Sequence, residues 1–264
     1  MTGSVNNDVV VQFSGGRLDL VFNRPERKNA LTDAMYGTII DALEQADKKN
    51  EVKVVVLSGK DGNFTAGHDL DGFLASPPRN VHAPVFSFVR ALSQLRKPII
   101  AAVEGLAVGI GTTMLLHCDL VYVAERARFR LPFASLGLVP EAASSMLLPA
   151  TCGHQRASEL LLLGETFSAI DAAACGFVNR ILADGCVHSF AVAQAEKICK
   201  LPQGSIRETK ALLRRGPRMH NNLAVLEQMQ HEVESFSKRL DGPALLEAVS
   251  AFREKRAADF KGMD

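Results

Sequence analysis

The sequence has no closely paired cysteines and no long apolar runs, and both absences restrict what the protein can be. Its five cysteines include no C-x-x-C pair, which favours reduced, buried thiols over disulfides or a zinc site. No apolar run reaches the length of a membrane span, and the first residues, "MTGSVNNDVVVQF", lack the basic and apolar regions of a secretory signal. The net charge of +1 predicts no general attraction to nucleic acid or to an anionic membrane. We therefore expect a cytoplasmic protein that binds neither membranes nor nucleic acids.

Several chemical motifs are absent as well. "GIGTTM" contains two of the glycines of a dinucleotide-binding loop but not the third, and no acid follows at the expected distance. Neither G-x-S-x-G nor G-x-x-x-x-G-K-[ST] occurs, which excludes the nucleophile turn of α/β-hydrolases and the phosphate loop of nucleotide-binding proteins. His117, Cys118 and Asp119 are adjacent rather than spaced as metal ligands, which favours a packing role. We expect no metal site.

Strands and helices alternate through the first part of the chain. "DVVVQFS" and "RLDLVFN" predict a hairpin turning at Gly15 and Gly16, and Thr32 is the expected N-cap of an amphipathic helix. The buried strand "VKVVVLSG" follows; then come a helix near 84–95, the strand "PIIAAVEG", a glycine-rich turn "LAVGIG", a helix "TTMLLHC" and the strand "DLVYVAE". This alternation of buried Val/Ile-rich strands with helices predicts an α/β core.

The pattern changes after about residue 185, where strands give way to helices. Four helical stretches are predicted near 187–200, 203–214, 220–239 and 243–256, separated by Pro202, Gly216-Pro217 and Gly242-Pro243. We expect these helices to form a layer that packs on the core or on a neighbouring subunit.

Two glycine-containing turns, "TAGHDL" and "AVGIGTT", each end a strand and begin a helix. The first N–H groups of a helix have no partner within it and favour negative charge. Two such turns side by side would form an oxyanion hole from the main chain alone, suited to a carbonyl oxygen that becomes an enolate. His68, in the first turn, is expected to be a wall residue rather than a base, and Asp69 the N-cap of the short helix "LDGF".

Glu141 is the only full charge between Arg130 and Arg156. One interpretation is structural, because Pro140 at the first position and an acid in the first turn are typical of a helix start. The other is catalytic, because a carboxylate among apolar neighbours is costly unless it is paired, protonated or used.

The chain resembles the crotonase, or enoyl-CoA hydratase/isomerase, superfamily. The resemblance runs through "NRPERKNAL", "FTAGHDL", "KPIIAAVEGLAVGIGTTMLLHCDLVYVAERARF", "PFASLGLVPE" and "LLLGETFSAIDAAACGFVNRI". It implies a spiral of strand–strand–helix units with a helical C-terminal part, assembly into trimers or hexamers, and acyl-CoA thioesters as substrates. It also implies two main-chain donors to the thioester oxygen, the N–H groups of His68 and Ile110. No cofactor is implied, since coenzyme A is part of the substrate.

The sequence departs from the hydratases of this family at two positions. Thr113 and Phe133 stand where those enzymes carry their two glutamates, and neither side chain can perform the acid–base chemistry of hydration. "PFASLGLVPEAASS" instead resembles the segment around the catalytic glutamate of the peroxisomal-type Δ3,Δ2-enoyl-CoA isomerases, which makes Glu141 the corresponding base. One base is enough for an isomerase, because the same carboxylate can remove the proton from C2 and return it at C4.

These observations predict an α/β protein with a crotonase-like spiral of ββα units and active site at 1–200 and a helical region for oligomerisation and CoA cover at 201–264. Its predicted activity is to shift a 3-enoyl-CoA double bond to the 2-trans position. The residues predicted to contact substrate are Ala66, Gly67, Asp69, Leu70, Gly109, Thr113, Phe133, Leu136 and Leu138, and those predicted to meet the CoA phosphates are Arg27, Lys28 and Lys261. Three alternatives stay open: an enoyl-CoA hydratase, a ring-opening isomerase of an aromatic-derived CoA ester, and an acyl-CoA-binding module without turnover.

Overall fold

A computed structural model describes residues 8–215 and 222–263 of the chain. Nine strands lie in the described residues: β1 Val9–Ser14, β2 Arg17–Phe22, β3 Val54–Gly59, β4 Ile99–Val103, β5 Leu106–Val108, β6 Leu120–Ala124, β7 Arg128–Arg130, β8 Thr166–Ser168 and β9 Arg180–Leu182. The α-helices there are α1 Asp33–Lys48, α2 Leu70–Ala75, α3 Pro84–Gln94, α4 Ile110–Thr113, α5 Ser144–Cys152, α6 His154–Ser158, α7 Ala169–Ala174, α8 Val187–Cys199, α9 Gln203–Leu213, α10 Asn222–Arg239 and α11 Pro243–Glu254.

The larger sheet has the strand order β1-β2-β3-β4-β6-β9 and is parallel except for the β1–β2 hairpin. The hairpin turns at Gly15 and Gly16, and the Thr32 hydroxyl caps α1 by accepting from the Met35 N–H, as the sequence predicts. Strands β3 and β4 are buried on both faces, which explains their unbroken apolar sequences.

Alternate residues of these central strands belong to two different apolar layers. Val55, Leu57 and Ile99 pack with helices α1 and α3 in the main core, whereas Val54 and Ile100 pack with the buried face of α8. This alternation is the period of two that an extended strand imposes.

A smaller sheet of order β5-β7-β8 lies next to the functional region. The sequence predicts a turn over all of "LAVGIG", but its first residues form β5, which pairs in parallel with β7. Strands β8 and β9 were not predicted either. Each has three residues, too few to show a period, and each exists because a neighbouring strand supplies its hydrogen bonds.

The four predicted C-terminal helices correspond to α8, α9, α10 and α11. The predicted break at Gly216-Pro217 and the first two residues of the predicted 220–239 helix lie outside the described residues. Helix α10 packs against α3 and α5, and α11 packs against the short 3₁₀ helix Ala134–Leu136. None of the described helices is long and apolar enough to cross a membrane.

Candidate active site

The two glycine-containing turns of the sequence lie side by side. Thr65 and Ala107 form a parallel bridge, in which the Thr65 N–H donates to Leu106 O at 2.9 Å and the Val108 N–H donates to Thr65 O at 3.1 Å. The pairing joins the chain that follows β3 to strand β5. It therefore brings together two segments that are about forty residues apart in the sequence.

Glycine is needed at two points where these segments touch. A Cβ on Gly67, which has φ +93°, would lie 2.6 Å from Val108 O. A Cβ on Gly111 would lie 2.6 Å from the Thr65 methyl carbon and 3.1 Å from Thr65 O. No other residue permits so close an approach of the two backbones.

This arrangement sets the directions of the two predicted oxyanion donors, the N–H groups of His68 and Ile110. Leu31 is hydrogen-bonded to Gly67 O and to the Asp69 N–H, each at 2.8 Å. Because successive N–H groups of an extended chain point to opposite sides, the His68 N–H points away from Leu31. Ile110 is the first residue of α4, so its N–H has no carbonyl one turn earlier in the helix. His68 and Ile110 line the same cavity.

This cavity has a volume of about 120 Å³ and a largely apolar wall. The predicted site residues that line it are Ala66, Gly67, His68, Leu70, Gly109, Ile110, Phe133, Leu136, Leu138 and Glu141. Sequence reasoning missed Phe73, Pro78, Val85, Val108, Pro132, Phe236 and Leu245, several of which come from other elements.

One wall of the cavity is aromatic. The Phe73 ring packs edge-on against His68 with the ring centroids 5.5 Å apart, and against Phe236 of α10 at 6.2 Å. Tyr36 Oη lies 3.4 Å from His68 Nδ1. Burial lowers the pKa of His68, which keeps its ring neutral and fits a wall residue better than a base.

Glu141 is 7% exposed and lines the cavity together with the two glycine-containing turns, here called the donor turns because they carry the predicted oxyanion donors. Burial, followed by the negative charge of Glu232, raises the pKa of Glu141 to about 8. The Thr113 hydroxyl lies beside it and offsets part of this increase. A carboxylate with such a pKa is a stronger base toward a carbon acid than an exposed one.

The segment after Glu141 differs from the predicted helix start. Helix α5 begins at Ser144 rather than at Pro140, because Ala142 and Ala143 have φ values of 62° and 55°, in the left-handed region. The Ser144 hydroxyl donates to Glu141 O at 2.6 Å, and His117 Nε2–H donates to Ala142 O at 2.8 Å. Side chains thus hold a backbone conformation that L-residues rarely adopt.

A second buried carboxylate lies behind this segment. Glu232 of α10 accepts from the Ala143 N–H at 2.6 Å, from the Ser145 N–H at 3.0 Å and from the Ser145 hydroxyl. Sequence reasoning missed it. The available signal was an acid on the apolar face of α10, between Met229 and Phe236.

Two predicted substrate-contacting residues, Asp69 and Thr113, do not line the cavity. Asp69 caps α2 by accepting from the Gly72 N–H and is paired with Arg24 at 2.9 Å. Thr113 is fully buried, and its hydroxyl has no hydrogen-bond partner among the residues that the structure describes. Asp69 thus holds the start of α2, and Thr113 lies inside the protein beside Glu141.

The predicted CoA-phosphate residues also lie outside the cavity lining. Arg27 is paired with Asp71 at 2.6 Å and lies 3.7 Å from Asp69, so its charge is already partly compensated. Lys28 and Lys261 are exposed. The Lys28 carbonyl accepts from the Ala66 N–H at 2.9 Å, which ties this segment to the first donor turn.

A larger cleft of about 620 Å³ lies between α1, α3 and α9. Three of the cations that line it, two buried and one half-buried, already have partners in the protein. Lys97 donates to Lys49 O, Lys210 is paired with Asp119 at 2.6 Å, and Arg214 donates to Ser93 O. These contacts close helix ends and give Asp119 the packing role predicted for it. Within 8–215 and 222–263, no cluster of three His, Cys, Asp or Glu side chains could hold a metal ion.

Comparison with known proteins gives the family. The model of the enoyl-CoA hydratase/isomerase family matches residues 13–263. The chain is 34% identical over 217 residues to enoyl-CoA delta isomerase 2 of Homo sapiens, an alignment covering 80% of this chain and 55% of that protein. The chain thus spans about half the length of that relative. It is 32% identical over 256 residues to 1,2-epoxyphenylacetyl-CoA isomerase of Escherichia coli (strain K12), covering 94% of this chain and 95% of that protein.

A solved structure agrees with the family match. An enoyl-CoA hydratase/isomerase from Pseudoalteromonas atlantica T6c superposes with a TM-score of 0.89 at 38% identity, covering 96% of this chain and 100% of that one. Relatives named as a hydratase and as a dehalogenase also match, so family membership alone leaves the reaction open among acyl-CoA chemistries. The match over residues 13–263 and the shared fold show that the chain belongs to the enoyl-CoA hydratase/isomerase family, with its crotonase fold.

Proposed function

We propose that the protein is a 3-enoyl-CoA isomerase that forms 2-trans-enoyl-CoA with Glu141 as its single base. One observation carries the proposal: Glu141 is the only carboxylate among the described residues that line the cavity, and it lines it together with both donor turns. A proton shuttle needs one group that both accepts and returns a proton, whereas hydration needs a second acid–base group beside a bound water.

The proposed reaction has two proton transfers. Glu141 takes a proton from C2, and the electrons of that C–H bond move into the thioester carbonyl to give a dienolate. The N–H groups of His68 and Ile110 stabilise the negative oxygen, each contributing roughly 3 kcal/mol in the transition state. Protonated Glu141 then gives its proton to C4, and the C3–C4 double bond becomes C2–C3.

The size of the cavity indicates the acyl group. An apolar cavity of about 150 Å³ holds one benzene molecule, and the cavity here is about 120 Å³. We therefore propose a short acyl chain as the natural substrate. As further parts of the proposal, no cofactor is required besides the CoA moiety of the substrate, the assembly is a homotrimer or a dimer of trimers, and the compartment is the cytoplasm.

A second candidate is ring-opening isomerisation of an aromatic-derived CoA ester. The near full-length relative named 1,2-epoxyphenylacetyl-CoA isomerase favours it, and so does the aromatic wall formed by Phe73 and Phe236. This reaction would use the same oxyanion hole and an acid at Glu141.

The test is a side-by-side assay of 3-enoyl-, 2-enoyl- and aromatic-derived CoA esters, with isomerisation and hydration both measured. We expect fast isomerisation of short 3-enoyl-CoA and very slow hydration of 2-enoyl-CoA. Efficient hydration would contradict the single-base proposal, and preferential turnover of the aromatic-derived esters would favour the second candidate. Acyl-CoA binding without exchange of the C2 proton into deuterated water would identify a module without turnover.

A further inference from the structure

Glu232, in the C-terminal helix α10, contacts residues 141–145, here called the base segment because it begins with Glu141. It is 6% exposed and accepts three hydrogen bonds, all from the two residues Ala143 and Ser145. Gln228, one turn earlier in α10, donates to the Ser145 hydroxyl at 2.9 Å and completes the contact. Glu232 and Glu141 are both buried carboxylates, and each costs free energy to desolvate. The contacts of Glu232 with the residues beside Glu141 therefore indicate a role connected with Glu141.

We propose that Glu232 is a positioning residue for the base, which pins the backbone directly after Glu141 and keeps a negative charge behind it. The inference rests on the role of Glu141 in the proposed function. Glu232 does not line the cavity and acts on the reaction only through Glu141.

The first part of this role is mechanical. Ala143 is the N-cap residue of α5 and has no side chain that can cap the helix, and its backbone is in the left-handed region. Glu232 supplies the missing cap from a different helix. Without it, the buried N–H of Ala143 and the part-buried N–H of Ser145 would lose their acceptor, and the segment would keep only the support of His117 and Ser144.

The second part is electrostatic. The N-terminus of α5 would stabilise a negative charge on Glu141 and weaken it as a base. Glu232 occupies these N–H groups instead, and its own charge further disfavours ionisation of Glu141. Burial raises the pKa of Glu232 to about 7, while its hydrogen bonds from Ser145 and Ala143 oppose this increase and favour its charged form.

Three other titratable groups near this segment are neutral near pH 7, while the charged Arg214 acts on one of them, His117. Burial raises the pKa of Tyr36 well above its usual value and lowers that of His68. Burial also lowers the pKa of His117, which donates to Ala142 O, to about 4. Among the described residues, Glu232 is the one whose charge raises the pKa of Glu141.

The test compares Glu232→Gln with Glu234→Gln, a matched control that removes an exposed carboxylate from the same helix. For Glu232→Gln we expect kcat to fall about tenfold or more, with KM little changed. We also expect the acid limb of the kcat/KM–pH profile to move to lower pH by about one unit, because the repelling charge is gone. Glu234→Gln should match the wild type in both respects.

A folded Glu232→Gln protein with wild-type kcat, or with a reduced kcat and an unmoved acid limb, would overturn the proposal. Ser145→Ala is a second, milder variant in case Glu232→Gln does not fold. It removes one of the three hydrogen bonds to Glu232 and leaves the two backbone contacts. We expect it to lower kcat by a smaller factor. If Glu232→Gln does not fold, wild-type kcat in Ser145→Ala would overturn the proposal.

An infrared titration separates this proposal from the proposed function. The band of protonated carboxylic acids, assigned with Glu141→Gln, reports the protonation of Glu141 whatever reaction the enzyme catalyses. Ionisation of Glu141 at lower pH in Glu232→Gln than in the wild type would support the electrostatic role even if no 3-enoyl-CoA is turned over. Unchanged ionisation would contradict that role even if isomerase activity is high.

Discussion

The two halves of the candidate site are built in different ways. Residues 65–68 and 106–111, which carry the proposed oxyanion donors, are held by main-chain pairing and by glycines in direct contact with backbone. Residues 141–145, which carry the proposed base, are held by the side chains of His117, Ser144 and Glu232. Main-chain pairing leaves little room for variation, whereas side-chain support can be retuned by single substitutions. Single substitutions are therefore expected to alter residues 141–145 more readily than the two paired turns.

The largest effect is expected at the base. Glu141→Gln keeps the shape of the side chain and removes its basicity, so we expect kcat for isomerisation to fall about 10³- to 10⁴-fold. Acyl-CoA affinity should be nearly unchanged, because the donor turns and the apolar wall remain. Steady-state kinetics and a binding titration measure the two quantities. Activity within a few-fold of the wild type, in a protein folded by circular dichroism, would remove Glu141 from the mechanism.

The next largest effect is expected at the donor turns. Gly67→Ala places a Cβ 2.6 Å from Val108 O and strains the backbone at φ +93°. The turns must then separate, and loss of one donor corresponds to roughly 3 kcal/mol, or about a hundredfold in kcat. Gly72→Ala is the matched control, since its Cβ would lie 3.7 Å from the nearest atom outside the chain neighbours, Asp69 Oδ1. Equal activity of the two variants would show that the close contact at Gly67 does not position a donor.

The half of the site that contains Glu141 should also make activity and stability depend on pH. Because the pKa of Glu141 is raised to about 8, kcat/KM should increase about tenfold per pH unit up to about pH 8 and then level off. Stability should change in the opposite direction. Between about pH 4.5 and 8 the folded state holds a proton that the unfolded state has released, so the free energy of unfolding falls as pH rises. Glu141→Gln should remove the contribution of Glu141 to this decrease in the free energy of unfolding. Denaturant unfolding of both proteins at pH 5 and pH 8 measures the difference.

The smallest effect is expected at the end of the acyl pocket. Phe236→Leu shortens the side chain of α10 that packs against Phe73 and Phe86. We expect the preference for a longer over a shorter 3-enoyl-CoA, expressed as the ratio of kcat/KM values, to rise about tenfold. Phe190→Leu, in α8 against Tyr122, is the control outside the cavity. An unchanged ratio in Phe236→Leu would show that another residue limits the length of the acyl group.

Particular residues show what could be predicted from the sequence. Val54 to Leu57 and Ile99 to Val103 are continuous apolar runs, so their place in a buried sheet follows from local sequence. The glycines of both donor turns mark positions where backbone approaches backbone. Glu141 was identified as an unusual charge, but the helix expected at Pro140 was wrong, since a local pattern does not include the distant partners that hold Ala142 and Ala143.

The sequence by itself determined the alternation of strands and helices, the two donor turns and the isolated acid, because each depends on neighbours within a few residues. Only the tertiary structure decided that Glu232 and Phe236, one turn apart on α10, lie against residues 141–145 and the cavity. It also decided that Asp69 and Thr113 do not line the cavity. Burial and hydrogen-bond partners set the pKa of a carboxylate, and for Glu141 these come from elements far apart in the chain, which no local pattern records.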